Sequence, residues 1–215
     1  MSPELKLGEH RWPAIATVAA ALGMYFALPG KFVLGPKWIL PALEAALIIP
    51  LLIANPVRLT RETQATRAAS VTLIALISLF NAFSTGLLVH GLLHGIKLGG
   101  RSLILSAIEI WITNVLVFTL WYWELDRGGP VARAFGERRR PDFLFPQMST
   151  PDVAVQDWMP GFVDYLYTSF TNCTAFSPTD TMPLSPWSKL LMLLQASVSL
   201  VTVAVVAARA VNILT

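Results

Sequence analysis

Cysteine is nearly missing from this sequence: Cys173 stands alone, so no internal disulfide can form and cysteine usage is silent on the redox compartment. Charge is scarce too, at 13% of residues against the roughly 25% usual in soluble domains. The net charge of +3 is spread over loops, and no basic stripe with interleaved aromatics points to a nucleic-acid partner. There is no hydrolase elbow, nucleotide-binding glycine loop or metalloprotease helix, so neither an enzyme nor a cofactor is expected. The chain shows no internal repeat at the residue level, which weakens an inverted-repeat transporter reading.

What is abundant is apolar sequence, with hydrophobic residues making up 54% of the chain. Measured against the ~20 residues needed to cross a bilayer, the apolar runs predict five spans. They cover Trp12 to Pro29, Lys37 to Ala54, Ala68 to Gly95, Ser102 to Glu124 and Pro186 to Leu214. The first follows Lys6 and Arg11 as a signal sequence does, but no A-x-A cleavage site comes after it, so it is read as a retained span. Trp12, Trp38 and the run Trp121-Tyr122-Trp123 sit at span ends, as interfacial belts require. Pro50 is expected to kink the second span rather than break it.

A polar connector, 126–160, follows the fourth span and contains the triplet Arg138-Arg139-Arg140; its composition predicts a surface loop. The next segment, Gly161 to Phe176, carries Asp164, Thr168, Thr171, Asn172 and Thr174. It is too short and too polar for an ordinary span, and a half-crossing segment buried in protein is the natural reading. The expected fold is therefore an all-α membrane protein with five transmembrane helices and a re-entrant helix and loop before the last one. Residues 1–101 would form a three-helix membrane region. Residues 102–215 would form a two-helix module containing the connector and the re-entrant segment 161–185.

The stretch from Tyr165 to Ser185, followed by Trp187-Ser188-Lys189-Leu190, resembles the pore loop of potassium channels. The likeness rests on the Ser/Thr run, Asp180, Pro183, Ser185, Trp187 and Lys189. It covers about the last 55 residues, with the fourth span as outer helix. In detail the match is better to uncharacterised bacterial multi-pass membrane proteins with a D-[FY]-L-Y-x-[AS]-F-T run and a non-glycine filter ending in Asp. The resemblance implies a cell inner membrane location, a homo-oligomer with a tetramer favoured, and a monovalent cation as the species handled.

The filter itself departs from the pattern, because T-V-G-Y-G is replaced by Ala175-Phe176-Ser177-Pro178-Thr179. Glycines in a potassium filter permit the backbone angles that turn successive carbonyls inward, whereas Pro178 fixes its own angle and restricts Ser177. Any conduction would then rely on side chains such as Thr174, Ser177, Thr179 and Asp180, giving a poorly selective path. Phe176 is equally placed to close it. In the last span Gln195, Ser199 and Thr202 share one helix face, which suits either a water-facing stripe or hydrogen bonds between packed helices.

A second constellation lies in the earlier spans. Glu44, His90 and Glu109 fall at matching depths, and His94 shares the face of His90. Intramembrane acids and histidines commonly mark proton relays, so a proton-coupled transporter or sensor is the alternative function, and a non-conducting scaffold is a third. The spacing His90-x-x-x-His94 alone is too weak to predict a metal site. Asn81 and Asn114 are expected near mid-membrane, bonded to one another. The Lys and Arg excess on the N-terminal face rests on the connector, and without it the two faces tie. The channel resemblance places the loop and N-terminus outside and the C-terminus inside.

Overall fold

The computed structural model describes residues 8–54, 57–60, 62–94, 99–135, 140–150, 152, 154, 158–174 and 179–214, with the side chains of 208–214 excepted. The architecture is helical: α1 (Trp12–Ala27), α2 (Ile39–Ala54), α3 (Gln64–Leu93), α4 (Gly100–Leu125), α5 (Pro130–Phe135), α6 (Pro146–Ser149), α7 (Phe162–Thr174) and α8 (Pro186–Leu214). Two short strands, β1 (Phe143–Leu144) and β2 (Met182–Pro183), pair antiparallel with Phe143 opposite Pro183 and Leu144 opposite Met182.

Three helices, α3, α4 and α8, are long and apolar enough to cross a membrane. By contrast α1 and α2 have 16 residues each. At ~1.5 Å rise per residue such a helix is about 24 Å long, short of the ~30 Å hydrocarbon layer. Five full spans were expected; three helices have the length, and α1 ends where Leu28 and Pro29 leave the helix ahead of a 3₁₀ turn (Gly30–Phe32). Pro13 is accommodated in the first turn of α1, where its missing N–H costs no intrahelical bond. α3 starts from a capping box, in which Thr63 Oγ1 accepts from Thr66 N at 3.1 Å and Thr63 N donates to Thr66 Oγ1 at 2.9 Å.

At the centre lies α4, which packs against α1, α3, α7 and α8. One end of the molecule gathers the start of α1, the start of α3, the end of α4 and the start of α8. There Leu59 N donates to Glu9 O at 3.0 Å, and Arg133 Nε meets Glu9 Oε1 at 3.0 Å. An apolar core here is built on Tyr122, Trp123, Phe143 and Tyr165; a second, near the opposite end, on Tyr25, Phe32, Leu40, Phe80 and Ile110.

The connector departs from the expected surface loop. Asp126, Pro130, Arg133, Phe143 and Phe145 are buried, because the chain folds back over the end of α4. The reversal uses three successive positive φ angles, at Arg127 (54°), Gly128 (87°) and Gly129 (101°). A Cβ on Gly129 would lie 2.9 Å from Glu124 O, so only glycine fits there.

Candidate functional site

Thirteen residues long, α7 lies against both α4 and α8. Its short polar side chains are what hold it there. Ser169 Oγ donates to Val115 O of α4 at 2.7 Å, while Ser199 Oγ of α8 donates to Cys173 O at 2.7 Å. The latter satisfies one of the last-turn carbonyls that a helix leaves without an internal partner. At the other end Gly161 N donates to Asp164 Oδ2 at 2.7 Å, capping the first turn.

Gln195, fully buried on α8, is the hub of this packing. Its Nε2 donates to Ser169 O at 3.1 Å, to Ser169 Oγ at 2.6 Å and to Cys173 Sγ at 3.0 Å. Its Oε1 accepts from Tyr122 OH at 2.5 Å and from Asn172 Nδ2 at 2.8 Å. Asn114 Nδ2 donates to Gln195 O at 3.2 Å, and Trp111 Nε1 donates to Ser199 Oγ at 2.9 Å. Three helices thus share one polar network, in which every member fixes the rotamer of another.

A second lock closes the end at which α7 begins. Asp126 Oδ2 accepts from Tyr165 OH at 2.6 Å, and Asp126 Oδ1 accepts from Asp142 N at 2.9 Å. Asp142 in turn accepts from Arg127 N at 2.9 Å and from Trp187 Nε1 at 2.9 Å, and its carbonyl accepts from Leu184 N at 2.8 Å. Arg133 donates to Trp123 O at 2.7 Å and stands 5.1 Å from the Tyr165 ring centroid. With the β1–β2 pairing, these bonds return the chain after α7 to the end from which α7 started.

The residues expected in the loop divide accordingly. Thr174 ends α7, exposed, with its hydroxyl bonded back to Phe170 O at 3.1 Å. Thr179 Oγ1 accepts from Thr181 N at 3.1 Å, and exposed Asp180 accepts from Tyr167 OH at 3.3 Å. Ala175, Phe176, Ser177 and Pro178 lie outside the described residues.

The stripe Gln195, Ser199, Thr202 is buried. Of the two roles open to that face, the described residues show hydrogen bonding: Gln195 and Ser199 bond α7, and Thr202 Oγ1 bonds back to Val198 O at 2.8 Å. The open face of α8 instead carries Leu190, Leu193, Leu194, Leu200 and Val201, and that of α7 carries Val163, Tyr167 and Phe170. Nor does Asn114 bond Asn81, since α4 turns it towards α7 and α8.

Glu44, His90 and Glu109 make no hydrogen bond or ion pair with one another among the described residues. Glu44 is buried with neither carboxylate oxygen partnered, and Glu109 Oε2 is also without a partner. His90 is exposed, its ring stacked on that of His94 at 4.1 Å between centroids. Among the described residues no group of acids, histidines and cysteine has the arrangement of a metal site.

Sequence reasoning missed Asp126, Asp142 and Arg133 as structural locks. The available signal was an acid at each edge of a Pro- and Gly-containing stretch, which marks turns as readily as docking points. No family model matches this chain, and neither a curated protein nor a solved structure matches it.

Proposed function

We propose that this chain is a pore-loop membrane protein of the cell inner membrane, in which α4, α7 and α8 form one module of an oligomeric cation pathway. One observation carries the reading: a helix too short to cross is held between two long apolar helices by buried polar groups, and its chain leaves towards the end where it began. Such a half-crossing element needs the protein around it to satisfy its backbone, and the Gln195 network supplies that.

The C-terminal carbonyls of α7 carry the negative end of its macrodipole, equivalent to about half an elementary charge, which favours a cation beside Thr174. The exposed carboxyl of Asp180 stands on the returning limb. One module supplies a quarter of a closed pore, so the functional unit is a tetramer with the open faces of α7 and α8 turned towards neighbours. Pro178 denies the path an ordered carbonyl ladder, so potassium and sodium pass with little discrimination.

Purified protein reconstituted in liposomes tests this directly. A tetramer conducting both ions at similar rates is the expected result. Strong potassium selectivity contradicts the filter argument, and a folded tetramer with no flux assigns the module to a non-conducting scaffold.

A further inference from the structure

We propose that Glu44 is a proton-binding site buried between α1, α2 and α3, separate from α7 and reached from the end closed by Phe32. The inference does not rest on the pore reading. Glu44 is 2% exposed and Tyr25 5%, and all three of their side-chain oxygens lack a hydrogen-bond partner. Tyr25 packs in an apolar cluster with Leu28, Phe32, Leu40, Phe80 and Leu88, and Leu40 lies one turn before Glu44 on α2.

The charged and titratable groups on the neighbouring elements are Lys31, Lys37, His90, His94, Arg101 and Glu109. On the loop after α1, Lys37 Nζ donates to Phe26 O at 3.0 Å and Leu28 O at 2.5 Å. His90 and His94, at the end of α3, are exposed and stacked on each other; Arg101 of α4 and Lys31 of the loop are exposed. None of them donates a hydrogen bond to Glu44.

An ionised carboxylate in such a place has lost its water and gained no cation or donor, so the neutral acid is the favoured form. A buried orphan of this kind calls for a functional explanation, and proton storage is the one this chemistry offers. Access is set by the 3₁₀ turn Gly30–Phe32, whose Phe32 is fully buried. Phe32 packs in the same cluster as Leu40, which lies one helical turn from Glu44 on the side of that loop.

Carbodiimides react with protonated carboxyls and not with carboxylates, so labelling at neutral pH followed by peptide mass mapping reads the site. A membrane-soluble carbodiimide is expected to modify Glu44 and not exposed Asp180, with the adduct lost in Glu44→Gln. A water-soluble carbodiimide should reach Glu44 only in Phe32→Ala, or in Phe32→Leu if the alanine variant fails to fold. Absence of the Glu44 adduct in folded protein at neutral pH overturns the proposal. So does protection of Glu44 by sodium at constant pH, which would assign a metal cation to the site in place of the proton.

Discussion

Two buried polar regions of this molecule are built on opposite terms. Around α7 the donors and acceptors close on one another: Gln195 alone engages Ser169, Cys173, Tyr122 and Asn172, and no buried side-chain oxygen or nitrogen of α7 or described α8 is unpaired. Between α1, α2 and α3, Glu44 and Tyr25 are equally buried and bond to nothing. The first arrangement specifies a position, because each group holds another in place. The second costs stability that the surrounding apolar packing must offset, and structures retain such costs mainly where they serve function.

Opposite responses to the same kind of substitution would sharpen this contrast. Gln195→Leu leaves Tyr122 OH without a partner in a buried site and removes one bond each from Asn172 and Ser169, which keep Met192 O and Val115 O. At about 1–3 kcal/mol for the orphaned hydroxyl and about 1 kcal/mol for each further bond lost, a loss of roughly 3 kcal/mol or more is expected in denaturation of the detergent-solubilised protein. Next in size is Asp142→Ala, which frees Trp187 Nε1 and Arg127 N and should cost about 2 kcal/mol with α8 loosened at its start. Proteolysis near residue 184 checks that loosening. Glu44→Leu, in contrast, replaces an unpaired acid with an apolar side chain and should stabilise by about 1 kcal/mol or more. If Glu44→Leu destabilises as strongly as Gln195→Leu, the two regions do not differ as described. The smallest change is expected for Thr202→Ala, within about 0.5 kcal/mol, since that hydroxyl bonds only its own helix. Its liposome flux should match the unaltered protein, because Thr202 is buried away from any path between copies.

The sequence made the helices readable because apolar runs report burial in lipid or protein directly. α8 begins and ends where the apolar run does, and the brevity and polarity of 161–176 set α7 apart from the full-length spans. Periodicity placed Gln195 and Ser199 on one helix face, yet it carries no information on what that face meets. Here it meets α7. Depth was equally readable for Glu44, His90 and Glu109, but rotation about each helix axis was not, and that rotation leaves His90 outside while Glu44 points in. The Asp126 and Asp142 locks were invisible for a different reason. Their partners lie up to 46 residues away, as for Ser188 with the carbonyl of Asp142, so no local pattern encodes them.

The central claim is that α7 enters and leaves the membrane at one face. Single cysteines introduced at exposed positions 161, 184 and 99, on a Cys173→Ser background, give the most direct test with a membrane-impermeant thiol reagent. Gly161→Cys and Leu184→Cys should label from one side and Gly99→Cys from the other. Labelling of Gly161→Cys and Leu184→Cys from opposite sides would mean that α7 crosses the membrane, and would contradict the account.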